Sequence, residues 1–288
     1  MIVSLISHPG IATQRLMTAL QAQAQRTAQT EPILAPVLDR LVLSQSTWGG
    51  VLSALLATRL ACNDLPFDTL ELLFGGLHAS SAVLGDIAAL DVAAVLRRDP
   101  ASDEALSVVL HQKGFQAIQA HRIAHALWVA GRKELARCLQ ALSSLAFGVD
   151  IHPGCSLGHS AMFDHATGIV IGETCVIGHG VSLMQGVTLG GTGKAAGLRH
   201  PQIAQGVLIG AGAVLLGAIR IGAHAKVGAG SVVLADVPPR STVVGVPARV
   251  VGKANASNPA EEMDQLVPSD SQAPQSPVHR PLSAGASQ

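Results

Sequence analysis

The chain has no tyrosine, and aromatic residues fill only 2% of its 288 positions. Recognition of single-stranded nucleic acid relies on aromatic platforms for stacked bases, so that class of function is disfavoured. An excess of either charge is also missing: Lys plus Arg number 19 and Asp plus Glu 19, for a formal net charge of +0. Nothing in that balance points to a polyanion as a partner. The four cysteines, Cys62, Cys138, Cys155 and Cys175, form no Cys-x-x-Cys pair and no Cys/His set at zinc spacing. Neither a disulfide framework nor a metal is expected, and all four read as small buried apolar residues. The N-terminus, MIVSLISHPG, lacks the basic region and long apolar run of a signal peptide, and no stretch is long enough for a membrane span. The expectation is a cytoplasmic protein with no membrane or nucleic-acid partner.

What is present is a period of six. Bulky apolar residues return at Ile151, Leu157 and Phe163, then Ile171, Ile177, Leu183 and Leu189, then Ile203, Ile209, Leu215, Ile221, Val227 and Val233. Neither a helix nor an alternating strand reproduces a strict six, whereas a β-helix does, with one short strand and one turn per hexapeptide. Three hexapeptides make a coil, and stacked coils bury a column that no single coil could bury alone. The phasing breaks twice, by two residues beside FDHATG and by eight at GGTGKAAGLRHP. Insertions in such a solenoid emerge as surface loops, often on the binding face.

Upstream of the repeat, Ala, Leu, Gln and Arg dominate and helices are expected at 11–28, 33–44, 48–61, 67–78, 82–98, 115–131 and 133–145. Thr47 is a candidate cap for the third and Ser80 or Ser81 for the fifth, which Asp99-Pro100 closes. Arg97, Arg98 and Asp99 read from spacing alone as a solvated helix end. His121 and His125 share a helix face but lack the Glu of an HExxH motif, and read as structural. After the repeat, VPPRSTVVGVPARVVGK turns at its prolines and runs back along the last coils. The expected class is thus α+β: an all-helical domain at 1–148, a parallel β-helix at 149–253, and a Ser/Pro-rich tail at 254–288 read as disordered.

The chemistry-bearing residues gather at the breaks. Asp164 and His165 stand at the first, and the fifteen-residue separation of Asp150 from His165 brings the two onto adjacent coils. A carboxylate on one imidazole nitrogen leaves the other free to take a proton, although a structural link would look the same. No elbow motif marks a nucleophilic Ser or Cys, so a bound hydroxyl or amine would attack directly with His165 as base. Arg199 and His200 stand at the second break, where Arg199 could fork onto a carboxylate. His152, His159, His179 and His224 are weaker candidates that could simply decorate turns. Lys194 and Lys226 either meet phosphates or only solubilise the prism.

The strings RRDPA, VDIHP, FDHATGIVIGET, GVTLGGTGK, RHPQI, IGAGA and GVPARVVG, in this order over about residues 80–253, resemble the serine O-acetyltransferases. The resemblance implies a left-handed β-helix and transfer of acetyl from acetyl-CoA to the hydroxyl of L-serine, in cysteine biosynthesis. It makes His165 the base and Asp150 its partner, gives Asp99 and Asp164 the serine ammonium, and gives Arg199 and His200 the carboxylate. Ala211, Ala229 and Lys226 would line the CoA groove, with Gly191 near the acetyl group. It further implies a homotrimer or dimer of trimers with sites between neighbouring prisms, and L-cysteine as feedback inhibitor in the serine site. Two departures stand out. Leu198 occupies a position that is commonly acidic, and the chain ends Ala-Ser-Gln where members that dock into cysteine synthase end in Ile, which puts that complex in doubt. Homoserine, an amino sugar, a non-catalytic scaffold or, as a poor match, a zinc hydratase remain the alternatives; a sugar would not need ammonium and carboxylate sites together.

Overall fold

A computed structural model describes residues 9–193, 196–254 and 256–267. The Ala/Leu-rich half forms helices α1 Pro9–Thr30, α2 Ala35–Leu38, α3 Trp48–Leu60, α4 Phe67–Ser80, α5 Ala82–Arg98, α6 Ala105–His111, α7 Lys113–Val129 and α8 Lys133–Phe147. Thr47 caps α3 by accepting the Gly50 N–H at 3.1 Å. Ser81 occupies the cap position of α5 without making the bond. The single helix expected at 33–44 is instead a 3-10 turn at Pro32–Leu34, then α2, then a π turn at Asp39–Leu43. Pro36 has no N–H to carry a regular ladder through that stretch. Helix α6 lies outside the expected set, since the paired Val108 and Val109 argue locally against a helix.

Strands follow in chain order: β1 Val149–Ile151, β2 Ser156–Leu157, β3 Met162–Asp164, β4 Ile169–Ile171, β5 Val176–Ile177, β6 Ser182–Met184, β7 Thr188–Gly190, β8 Gln202–Ile203, β9 Leu208–Ile209, β10 Val214–Leu216, β11 Arg220–Ile221, β12 Lys226–Val227, β13 Val232–Val233, β14 Ser241–Gly245 and β15 Ala248–Lys253. They stack in three sheets: the first ordered β1-β4-β7-β10-β13, the second β11-β8-β5-β2, and the third β15-β14-β12-β9-β6-β3. Every pairing is parallel except the closing hairpin, where β14 lies parallel to β12 and antiparallel to β15. The chain visits the three sheets in rotation, so each coil places one strand on each face. Twelve of the thirteen hexad residues are buried, and Leu157 packs partly buried against the same core. That core continues through Val149 and Phe147 into α3, α4, α7 and α8.

A closed polar network joins helices to prism. Arg122 on α7 meets the buried Asp91 of α5 at 2.8 Å and donates to the carbonyls of Leu157 (3.1 Å) and Gly158 (2.9 Å). Asp91 also accepts from Gln119 at 2.9 Å and from the Ala161 N–H at 3.0 Å.

Three expectations are corrected here. Arg98 is not a solvated helix end: it is buried, bonded to the Ser160 carbonyl at 2.9 Å and to Glu261 at 2.8 Å. The tail is not wholly disordered. Within it, α9 Pro259–Glu262 places Ala260 at 0% exposure, with its carbonyl accepting from Ser182 at 3.0 Å; residues 268–288 lie outside the described part. Cys62 and Cys138 are exposed, so only Cys155 and Cys175 are the buried apolar residues foreseen.

Candidate functional site

Each corner between sheets sets what a side chain there can reach. His165 follows β3 of the third sheet and precedes β4 of the first, in the two-residue insertion at that edge. His165 and Ala166 take positive φ, 52° and 60°, and the Thr167 N–H bonds back to the His165 carbonyl at 2.8 Å. This tight loop projects the imidazole outward, where it is exposed and makes no side-chain hydrogen bond to any described residue. Helix α7 supports the loop from below, with Lys113 Nζ donating to Thr167 Oγ1. Asp164 is half-buried beside it. Burial raises the Asp164 carboxyl above its usual range and the charge of Asp99 adds to this, while His165 opposes it.

Asp99 closes α5 and is held from three directions: by the Ala101 N–H at 2.9 Å, Ser102 Oγ at 2.6 Å and Gln112 Nε2 at 3.3 Å. Fixing a carboxylate this way points it without neutralising it. Asp99, Asp164 and His165 thus form one anionic group at the edge between the third and first sheets.

The opposite edge of the first sheet carries the second group. Arg199 and His200 come after β7 and before β8, and both are organised by Thr174 of the coil below. Thr174 Oγ1 accepts from the N–H groups of Arg199 (3.1 Å) and His200 (3.2 Å). Its own N–H donates to His200 Nδ1 at 3.2 Å. With Nδ1 an acceptor, the neutral ring carries its proton on Nε2. Burial, then the charge of Arg199, lowers the His200 pKa and favours that neutral form. The ring lies over Gly172, where an added Cβ would sit 2.1 Å from Nε2, and Gly191 lies beside it at 3.5 Å by the same measure. The Arg199 guanidinium is engaged by Glu173, whose carboxyl that bond holds below its ordinary range.

Asp150 lies on the first sheet between the two edges, and its Oδ1 accepts from Gln140 of α8 at 2.6 Å. The expected bond to His165 is not formed, and among the described residues nothing donates to Oδ2. Ala211 and Ala229 stand on the His165 edge in coils above it, where Gly230 donates to the Ala211 carbonyl at 2.8 Å. Lys226 departs from expectation: it is 2% exposed, bonded to Asp264 at 2.9 Å and to the Leu266 carbonyl, so the chain's own terminal segment covers it. Lys194 lies outside the described residues.

Four further histidines serve packing. His121 is buried and its pKa pushed to about 3, His125 bonds the Pro153 carbonyl at 2.8 Å, and His159 stacks on His179 at 3.9 Å. Among the described residues no three His, Cys, Asp or Glu side chains are grouped to hold a metal. Glu173, Thr174 and Gln140 were not foreseen. The dipeptide Glu173-Thr174 inside IGET was the available signal, since a repeat turn needs neither residue.

Residues 16–120 match the family model for the serine acetyltransferase N-terminal domain, and residues 200–235 match the bacterial transferase hexapeptide model. A serine acetyltransferase of Haemophilus influenzae is 49% identical over 246 residues, covering 85% of this chain and 92% of its own. A solved serine acetyltransferase in complex with cysteine is 47% identical with a TM-score of 0.87, covering 88% of this chain and 99% of that one. The Neisseria gonorrhoeae serine acetyltransferase in complex with serine is 46% identical at 0.80, covering 81% and 96%. A serine acetyltransferase in complex with CoA is 47% identical at 0.79, covering 83% and 99%.

Proposed function

This chain belongs to the serine acetyltransferase family, with its left-handed β-helix of hexapeptide repeats, and on that premise we propose that it transfers the acetyl group of acetyl-CoA to the hydroxyl of L-serine, giving O-acetyl-L-serine and CoA. The observation that carries the reading is the opposition of charges at the two edges of the first sheet. Asp99 and Asp164 suit an ammonium, Arg199 and the His200 Nε2–H suit a carboxylate, and an α-amino acid presents both at a fixed separation.

In this reading His165 removes the serine hydroxyl proton as the oxygen attacks the thioester carbon. The carbon–sulfur bond then breaks, and the imidazolium returns its proton to the departing thiolate of CoA. Asp150 Oδ2, to which no described residue donates, is the oxygen available to orient His165 and stabilise its charged form. Gly191, beside His200, leaves room for the acetyl group, and Ala211 and Ala229 leave the edge above His165 open to the CoA arm.

Among the described residues no hydrogen bond or ion pair joins the two charged groups within one chain. We therefore place the site between neighbouring subunits of a trimer, where the His165 edge of one prism meets the Arg199 edge of the next. Val170 and Val176, exposed at 42% and 44% on the outer faces, support such a contact. L-cysteine, which shares the ammonium and carboxylate of serine, would compete for the same site.

The test is CoA release from acetyl-CoA with serine, homoserine, glucosamine or no acceptor, on the parent protein and on His165→Ala. Serine-dependent release that falls by about 100- to 10,000-fold in the variant is expected. No release with any acceptor from correctly assembled protein would sink the proposal.

A further inference from the structure

Helix α7 opens with three residues that are poor choices for starting a helix. Gln112 stands at the cap position, where Ser, Thr, Asp or Asn is favoured, and its side chain makes no capping bond. Lys113 follows with a positive charge at the positive end of the helix dipole, and no acidic residue balances it in the first turn. Gly114 then adds the least helix-prone residue after proline. A run that conflicts with its own local structure marks a demand from elsewhere in the fold.

Each of the three meets the group formed by Asp99, Asp164 and His165. Gln112 Nε2 donates to Asp99 Oδ2 at 3.3 Å and to Ser102 Oγ, which itself donates to Asp99 Oδ2 at 2.6 Å. Lys113 Nζ donates to Thr167 Oγ1, two residues past His165. Gly114 lies against the residue before Asp164: an added Cβ would stand 2.0 Å from the Phe163 carbonyl oxygen and 3.1 Å from the Ala166 Cβ. The loop needs such support. His165 and Ala166 both hold left-handed φ, which residues other than glycine adopt at a cost, and two in a row persist only where their surroundings fix them.

We propose that the first turn of α7 is the template that sets the serine ammonium site and the base in register, with Gln112 and Lys113 as positioning residues acting through Asp99 and through the His165 loop. This rests on the acetyl transfer proposed above. Their duties separate because their partners do. Among the described residues the Gln112 side chain bonds Asp99 and Ser102 and not the loop, so it governs how firmly serine is held. The Lys113 ammonium bonds the loop and not Asp99, so it governs where the His165 imidazole stands when the hydroxyl proton is taken. A displacement of about 1 Å there costs up to about 100-fold in rate. Gly114 gives both a common floor, since its bare backbone lets α7 close on the strand that leads into the loop.

The experiment compares the full-length parent with Lys113→Met, which keeps the length of the side chain without its donor, with Lys113→Arg, which restores a donor, and with Gln112→Leu. Steady-state constants for both substrates are measured beside thermal midpoints and the rate at which diethyl pyrocarbonate modifies His165, followed by peptide mass. In Lys113→Met the kcat falls about 10- to 100-fold with both KM values within about twofold, and the His165 modification rate changes by about twofold or more. Lys113→Arg recovers most of each. In Gln112→Leu the serine KM rises about 5- to 10-fold, the size of one hydrogen bond, while kcat and the acetyl-CoA KM hold. Unchanged constants in Lys113→Met and Gln112→Leu would overturn the proposal. So would a fall in thermal midpoint with kcat and KM intact, or the same changes in kcat and KM in both variants. A parent without serine-dependent turnover would refute the transfer, while the His165 modification rates would still decide whether Lys113 holds the loop.

Discussion

Polar groups meet opposite fates on the two sides of the first coil. At the junction with the helices, Asp91 accepts from Arg122, Gln119 and Ala161, and Arg122 also donates to the carbonyls of Leu157 and Gly158. Along the first sheet the side chains instead keep capacity in hand: among the described residues, the His165 side chain, Asp150 Oδ2, His200 Nε2 and Gln185 Oε1 find no hydrogen-bond partner. The first arrangement holds helices against prism. The second is incomplete without a ligand or a neighbouring subunit, which is the property expected where chemistry is done.

The sharpest way to break this contrast is to open the closed side. Asp91→Ala leaves the Arg122 guanidinium buried without its counter-charge, which costs about 3–5 kcal/mol. Urea unfolding should show the midpoint collapsing accordingly. His165→Ala, on the open side, should leave unfolding within about 0.5 kcal/mol of the parent while activity is lost. If Asp91→Ala were silent, the junction would not be a structural lock.

The next effect follows from His121, buried under the same junction. Burial first, then the charges of His125 and Arg122, pushes its folded pKa to about 3 from 6.5. The unfolded chain therefore binds more protons between those values. The stabilisation is complete above about pH 6.5 and is lost as pH falls toward 3, roughly 2 kcal/mol of it by pH 5. Unfolding curves at pH 7.5 and 5 should show this loss in the parent and a flatter dependence in His121→Leu. A smaller term lies farther away: Thr47→Ala removes the α3 cap and should cost about 1 kcal/mol in the same assay.

The same contrast explains what could be read from the chain. The prism was legible because its core repeats: a hexad residue such as Ile209 needs only its own period to be placed inside. The His165 and Arg199 loops were legible as interruptions of that period. Long-range partners were not. Ala260 and Glu261 gain their order from Ser182, Arg97 and Arg98, residues far away in sequence, so composition reported only a polar tail. Lys226 read as a surface cation for the same reason, since nothing near it announces Asp264. Asp150 could be placed on the coil below the His165 loop, but Gln140, which holds it, belongs to a helix whose docking no repeat encodes.

Glu173 lies on the boundary between the two kinds of polar group, and the smallest prediction concerns it. It closes the Arg199 guanidinium as Asp91 closes Arg122, yet the pair is part-exposed, with side chains at 29% and 36%. A pair so open to solvent contributes about 0–1 kcal/mol, so Glu173→Gln should barely move stability. Its effect belongs in binding. The Glu173 carboxylate occupies the fork that a substrate carboxylate would use, so removing its charge should lower the serine KM about 2- to 5-fold, the kinetic equivalent of such a pair. The kcat should hold, because Glu173 touches Arg199 and not His165. A serine KM that rises instead would mean that Glu173 aims the arginine rather than competing for it, and would move Arg199 into the class of groups completed by the protein itself.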